Sequence, residues 1–145
     1  MQLPVFLAAA VTALFSPTVQ QHQPTPAACQ HLHGTSRSVC VKVHYSHPCL
    51  AHITDLEDPT WDPTVSYGFR HVGVTSLAYG LPQAQPGTKL GYYAYTNSGH
   101  RAGEPLPHGW QTNPWLQLSW MSNYAKGRYS SECGAWRSRH LYGQY

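Results

Sequence analysis

Apolar and polar positions alternate in a readable way over four stretches of the chain. Val5 to Phe15 is apolar, and a Gln- and Pro-rich run follows at 20–28. The apolar run is shorter than the ~20 residues that span a bilayer and suits the core of an export signal. Residues 1–20 therefore read as a signal peptide, although neither Lys nor Arg precedes the apolar run. Residues 21–45 read as a linker or N-terminal extension. Within it Val39, Val41 and Val43 alternate with other residues over Arg37 to Tyr45, which predicts a short strand.

Ser46 to Asp58 has the pattern of a short helix. Ser46 is a capping residue type, and Pro48 is tolerated in a first turn. Cys49, Ile53 and Leu56 fall at i, i+4 and i+7 on one face. Pro59 disfavours helical backbone at Asp58, so the helix ends there. Thr64 to Ser76 predicts a loop. Ala78 to Leu90 is dense in Gly and Pro, carries Gln83 and Gln85 with one charge, and predicts a rigid turn. Gly91 to Gly109 predicts no regular element. A second helix starts at Asn113 as cap and Pro114 as first residue, with Leu118, Met121, Ala125 and Tyr129 as its apolar stripe.

Composition narrows the function. A chain of 145 residues is one domain. Only 10% of residues are charged, while five Trp and ten Tyr supply planar faces, for a carbohydrate cleft or for a small core. The net charge of +3 is small and scattered. That excludes a nucleic-acid groove and mildly favours an anionic polymer such as a cell wall. Four cysteines, Cys29, Cys40, Cys49 and Cys133, behind an export signal read as two disulfides with three possible pairings. Cys29, His31, His33 and Cys40 are an alternative zinc set. The chain has neither a C-x-x-C pair nor H-E-x-x-H, so disulfides and no metal are the expectation.

Two residue types point to chemistry. Glu57 falls in the last turn of its helix, where the negative end of the dipole and partial burial both disfavour charge; this suits a general acid as well as an ordinary exposed Glu. The amide of Gln83 matches sugar hydroxyls and N-acetyl groups, and serves equally as a turn-stabilising group.

The stretch Ala78-Tyr79-Gly80-Leu81-Pro82-Gln83-Ala84-Gln85-Pro86-Gly87-Thr88-Lys89-Leu90 resembles the A-Y-G-I-P-Q-A-L-P-G-S-K-M motif of lysozyme-like lytic transglycosylases of actinobacteria and their phages. Other motifs of that family follow in order. Cys49-Leu50 precedes Glu57 at the spacing of C-L-x-x-L-W-x-x-E-S-G-W-N-P, and Trp61-Asp62-Pro63 stands at W-N-P. Trp110-Gln111-Thr112-Asn113-Pro114 matches W-Q-T-N-P, and Gln117 to Trp136 is similar to Q-I-x-W-G-L-x-Y-I-x-x-R-Y-G-x-P-C-x-A-W. The chain departs in having Asp58-Pro59-Thr60 where the family has Ser-Gly.

The resemblance, which covers Cys49 to Tyr145, implies a mainly α, lysozyme-like domain of the goose-type lysozyme and soluble lytic transglycosylase kind at 46–145. It implies Glu57 as the catalytic residue, and Gln83, Tyr79, Tyr124 and Trp61 as substrate-binding residues. It pairs Cys49 with Cys133, leaving Cys29 with Cys40. The implied reaction cleaves the β-1,4 bond between N-acetylmuramic acid and N-acetylglucosamine in peptidoglycan, leaves a 1,6-anhydro end and uses no cofactor. The implied protein is a monomer, secreted, cell-wall associated or phage-encoded, that meets a membrane only through its targeting segment. The alternatives are a non-catalytic glycan-binding or virion structural protein that kept the fold, and a hydrolytic lysozyme.

Overall fold

The computed structural model describes residues 23–71, 74–84 and 106–143, with the backbone alone for 67–71 and 74–77. The segment expected to be a signal peptide, most of Gln85 to Gly109, and Glu104 lie outside the described residues. After a short 3-10 turn at Ala27–Cys29, the elements are α1 (Gly34–Ser46), α2 (Pro48–Glu57), β1 (Ser66–His71), β2 (Val74–Tyr79), α3 (Pro114–Tyr129) and α4 (Glu132–Tyr142). The described protein is thus mainly helical, with one two-stranded antiparallel sheet and two disulfides. None of these helices is long and apolar enough to cross a membrane.

Three expectations from the sequence are corrected. Arg37 to Tyr45 lies in α1 and is not a strand. Val39 and Val43 are four apart as well as alternate, and with Cys40 they form one buried helical face. Nor is 21–45 a detached linker throughout, because Cys29, Leu32, Val39, Cys40 and Val43 belong to the common core. Most of Thr64 to Ser76 is strand and not loop: Ser66 pairs with Tyr79 and His71 with Val74 between β1 and β2.

Helix α2 ends beside Pro59 as expected, but Ser46 does not cap it. Ser46 closes α1 and donates from Oγ to the Lys42 carbonyl at 2.8 Å, and His47 takes the cap position. Its buried face is also displaced from the predicted stripe. Leu50, Ala51, Ile53 and Thr54 are buried, whereas Leu56 is 52% exposed. The cause is position: α2 packs against both α1 and α4, so it buries a broad face centred on Leu50 and Thr54. Thr54 donates its hydroxyl to the Leu50 carbonyl at 3.0 Å, which lets a polar side chain sit in the core.

Helix α3 follows the sequence closely. Asn113 Oδ1 accepts from the backbone N–H of Trp115 and Leu116, and Pro114 needs no partner for the N–H it lacks. Leu118, Met121 and Ala125 are buried and Tyr129 is partly so. The corner into α4 is tight. Ser130 takes a left-handed conformation, Ser131 Oγ accepts from Gly134 N–H at 2.9 Å, and a Cβ on Gly134 would meet the Tyr129 carbonyl oxygen at 2.2 Å.

Both implied disulfides form, Cys29–Cys40 and Cys49–Cys133. The second joins the first turns of α2 and α4. From there the two helices run side by side in the same sense, and they meet again through Glu57 and Arg139.

Candidate functional site

Glu57 is the last residue of α2, with a half-buried side chain. Counting from the disulfide, it lies eight residues along α2 and Arg139 six residues along α4, about 12 and 9 Å of helix rise. The two side chains therefore face each other at the far ends. Arg139 Nε donates to Glu57 Oε1 at 2.5 Å, and its Nη1 donates to the Gly143 carbonyl at 2.8 Å. Nothing in the local pattern around Glu57 announces this cation, because Arg139 is brought to it from 82 residues away. Among the described residues Oε1 is engaged by Arg139 and Oε2 makes no hydrogen bond.

The residue after the candidate acid is built into the core. Asp58 is fully buried. Its Oδ1 accepts from the Thr60 N–H at 3.1 Å and the Thr60 hydroxyl at 2.5 Å, while Oδ2 has no hydrogen-bond partner among the described residues. Burial pushes the Asp58 carboxyl above the ordinary carboxylate range; the Thr60 hydrogen bonds pull the other way. Asp58-Pro59-Thr60 forms this turn, with Trp61 after it at a φ of 52°.

Trp61, expected to bind substrate, is placed in the core. It is 1% exposed, its Nε1 donates to Asp55 Oδ1 at 3.0 Å, and its backbone carbonyl accepts from Ser36 Oγ at 2.9 Å. Its size and indole N–H make it a core pillar that anchors the chain leaving α2.

Gln83 and Tyr79 lie on one turn. Gln83 has a φ of 44°, and its Nε2 donates to the Gly80 carbonyl at 2.8 Å. It is half-buried, so its amide both stabilises the turn and keeps a partly open face. Tyr79 donates from its hydroxyl to the Gln111 carbonyl at 3.0 Å and sets its ring edge-on to Trp110. Burial, and then the nearby negative charge of Asp62, push its phenol above the ordinary value.

Gln117, to which the sequence assigned no role, fastens this turn. It is fully buried on α3. Its Oε1 accepts from Leu81 N–H at 2.8 Å, and its Nε2 donates to the carbonyls of Pro63 and Trp110, each at 2.9 Å. One amide thus holds together the segment after α2, the turn after β2 and the entry to α3. Gly80 makes room for it: a Cβ there would lie 2.2 Å from Gln117 Oε1.

Tyr124 stacks flat on Trp120, with ring centroids 5.3 Å apart, and Arg128 approaches its ring. Among the described residues, the hydrogen bond and ion pair recorded for Glu57 go to Arg139 and not to Gln83, Tyr79 or Tyr124. A groove of about 340 Å³ runs between α1 and α3, past Lys42, His47, Trp115, Ser119 and Lys126, and does not include Glu57.

The other carboxylates among the described residues are committed elsewhere. Asp55 meets Trp61 and His44, Asp62 caps its own turn through Thr64, and Glu132 meets His47, Ser122 and Lys126. The Cys29, His31, His33 and Cys40 zinc set is ruled out, because the two sulfurs are bonded to each other. A different group, His44, His52 and Asp55, gathers between α1 and α2.

Fold and site together define a small, mainly helical domain with two disulfides and a carboxylate–guanidinium pair at the end of its central helix. No family model, curated protein or solved structure matches the chain.

Proposed function

We propose that this chain is a lysozyme-like lytic transglycosylase that cleaves the β-1,4 bond between N-acetylmuramic acid and N-acetylglucosamine, with Glu57 as acid and then base. The observation that carries the reading is the chain order around Gln117. A helix ends in the candidate acid, an antiparallel hairpin follows, and a Gln-bearing turn is then clamped by one buried amide to the next helix. The quoted motifs occur in that same order along the chain.

A single carboxylate suffices for this chemistry. Glu57 protonates the leaving oxygen, then removes the proton from the sugar's own 6-hydroxyl, which attacks the anomeric carbon. The intramolecular nucleophile replaces a positioned water. An ordinary glycosidase needs two carboxylates about 5 Å or more apart; the described alternatives are held in structural contacts or, like Asp58, buried. With Oε1 taken by Arg139, Oε2 is the oxygen that exchanges the proton. Two disulfides fit an exported protein working at the cell wall.

The Glu57–Arg139 pair also favours a second reading, a non-catalytic glycan-binding or virion structural protein, since an ion pair explains a half-buried Glu without any reaction. Digestion of purified peptidoglycan by the mature protein, read by mass spectrometry, separates the readings. Anhydro-muropeptides that disappear in Glu57→Gln are the expected result. Reducing-end products would make the protein a hydrolytic lysozyme. Sedimentation with peptidoglycan without any cleavage would establish the second reading.

A further inference from the structure

We propose that His44, His52 and Asp55 form a binding site for one Zn²⁺ ion, apart from Glu57 and independent of the glycan-cleaving reading. His44 lies near the end of α1. His52 and Asp55 are three apart on α2 and so share a helical face. Packing of α1 on α2 brings the three together, with one coordinating atom from each within 4.8 Å of the others.

The distances fit a zinc ion. His44 Nε2 lies 3.1 Å and His52 Nδ1 3.9 Å from Asp55 Oδ2. Bonds of roughly 2.0–2.2 Å in a tetrahedral site place ligand atoms about 3.3–3.5 Å apart. Both edges are within a few tenths of an ångström of that range, and the third closes by turning the His52 ring, which is 51% exposed. The two imidazoles stand edge to face. Two imidazoles and a carboxylate are zinc ligand types, and three of them leave a coordination position open.

The supporting shell is in place. Trp61 Nε1 donates to Asp55 Oδ1 and orients the carboxylate; His44 Nε2 lies 3.3 Å from that oxygen and 3.1 Å from Oδ2, the oxygen that His52 Nδ1 faces. Trp61 is buried, so this orienting group is rigid. A hydrogen bond accounts for His44 with Asp55, while His52, packed on Trp136, brings Nδ1 to 3.9 Å from Oδ2 of the same carboxylate. The neighbouring group Cys29, Cys40 and His44 is excluded as a site by its disulfide.

The test uses the full chain with its disulfides intact, stripped with chelator and titrated with Zn²⁺ in a calorimeter. Because the chain has ten histidines, variants carry the assignment. Asp55→Asn keeps an acceptor for Trp61, and His52→Ala alters an exposed side chain. One saturable Zn²⁺ per wild-type chain is expected, weakened roughly tenfold or more in each variant. Zn²⁺ should raise the unfolding midpoint of the wild type and not of the variants. Co²⁺ should quench tryptophan fluorescence, since Trp61 and Trp136 pack against His44 and His52. No saturable binding, or equal affinity in His52→Ala, would overturn the proposal. A midpoint that falls in the variants equally with and without Zn²⁺ would reduce the cluster to a structural hydrogen bond.

Discussion

Gly80→Ala should be among the most damaging single-methyl additions in the described protein. Gly80 has a φ of +69°, a left-handed conformation that an L side chain adopts at about 1–2 kcal/mol. The larger effect is steric. An added Cβ would lie 2.2 Å from Oε1, 2.6 Å from Cδ and 2.8 Å from Nε2 of Gln117. A flexible surface side chain would swing away. Gln117 cannot do so freely, because it is fully buried and its amide spans three segments. Moving it strands the Leu81 N–H and at least one of the Pro63 and Trp110 carbonyls, and each stranded buried group costs about 1–3 kcal/mol. The expected total is about 3–8 kcal/mol, a large share of the roughly 5–15 kcal/mol that holds a domain together. Urea denaturation of Gly80→Ala, Gln117→Ala and the double variant measures it. Once the amide is gone the clash is gone, so Gly80→Ala should cost only about 1–2 kcal/mol in the Gln117→Ala background. A cost under about 1 kcal/mol in the wild type, or the same cost in both backgrounds, would refute the clamp.

Replacing Cys49 and Cys133 together by Ser should lower stability by about 4–5 kcal/mol in the chain-entropy model, since the bridge closes an 84-residue separation; denaturant midpoints under non-reducing conditions check it, and a loss under about 1 kcal/mol would show that the bridge contributes little. Glu57→Gln and Arg139→Gln should each cost about 1–3 kcal/mol, with the double variant little worse than either, because both remove one charged hydrogen bond; additive losses would mean the pair is not formed in solution. Asp58→Asn should be the more stable protein near neutral pH and lose its advantage in acid. Burial raises the folded-state pKa of Asp58, so the folded protein holds a proton that the unfolded chain has already lost. Stability then falls as pH climbs from the unfolded value of about 4 through the higher folded value. Parallel stability–pH curves for the two proteins would remove Asp58 as the cause.

The sequence alone determined what is encoded over a few neighbouring residues. The start of α3 was legible because Asn113 accepts from N–H groups two and three residues away and Pro114, next to it, lacks an N–H that would need a partner. The end of α2 was legible because Pro59 constrains the residue before it. The residues themselves left three disulfide pairings open, and only the family resemblance implied the one that forms. Where two local readings compete, as with the valines of α1, a short stretch does not choose between period 2 and period 3.6; packing against α2 does. The hairpin at 66–79 depends on pairing that composition leaves ambiguous. Only the tertiary structure decided the surroundings of each candidate group: Arg139 on Glu57, the buried place of Trp61, the Gln117 clamp on the Gln83 turn, and the meeting of His44 with His52 and Asp55. These contacts join segments up to 82 residues apart. Their geometry follows from how helices stack and where the disulfides tie them, and no window of neighbouring residues contains that information.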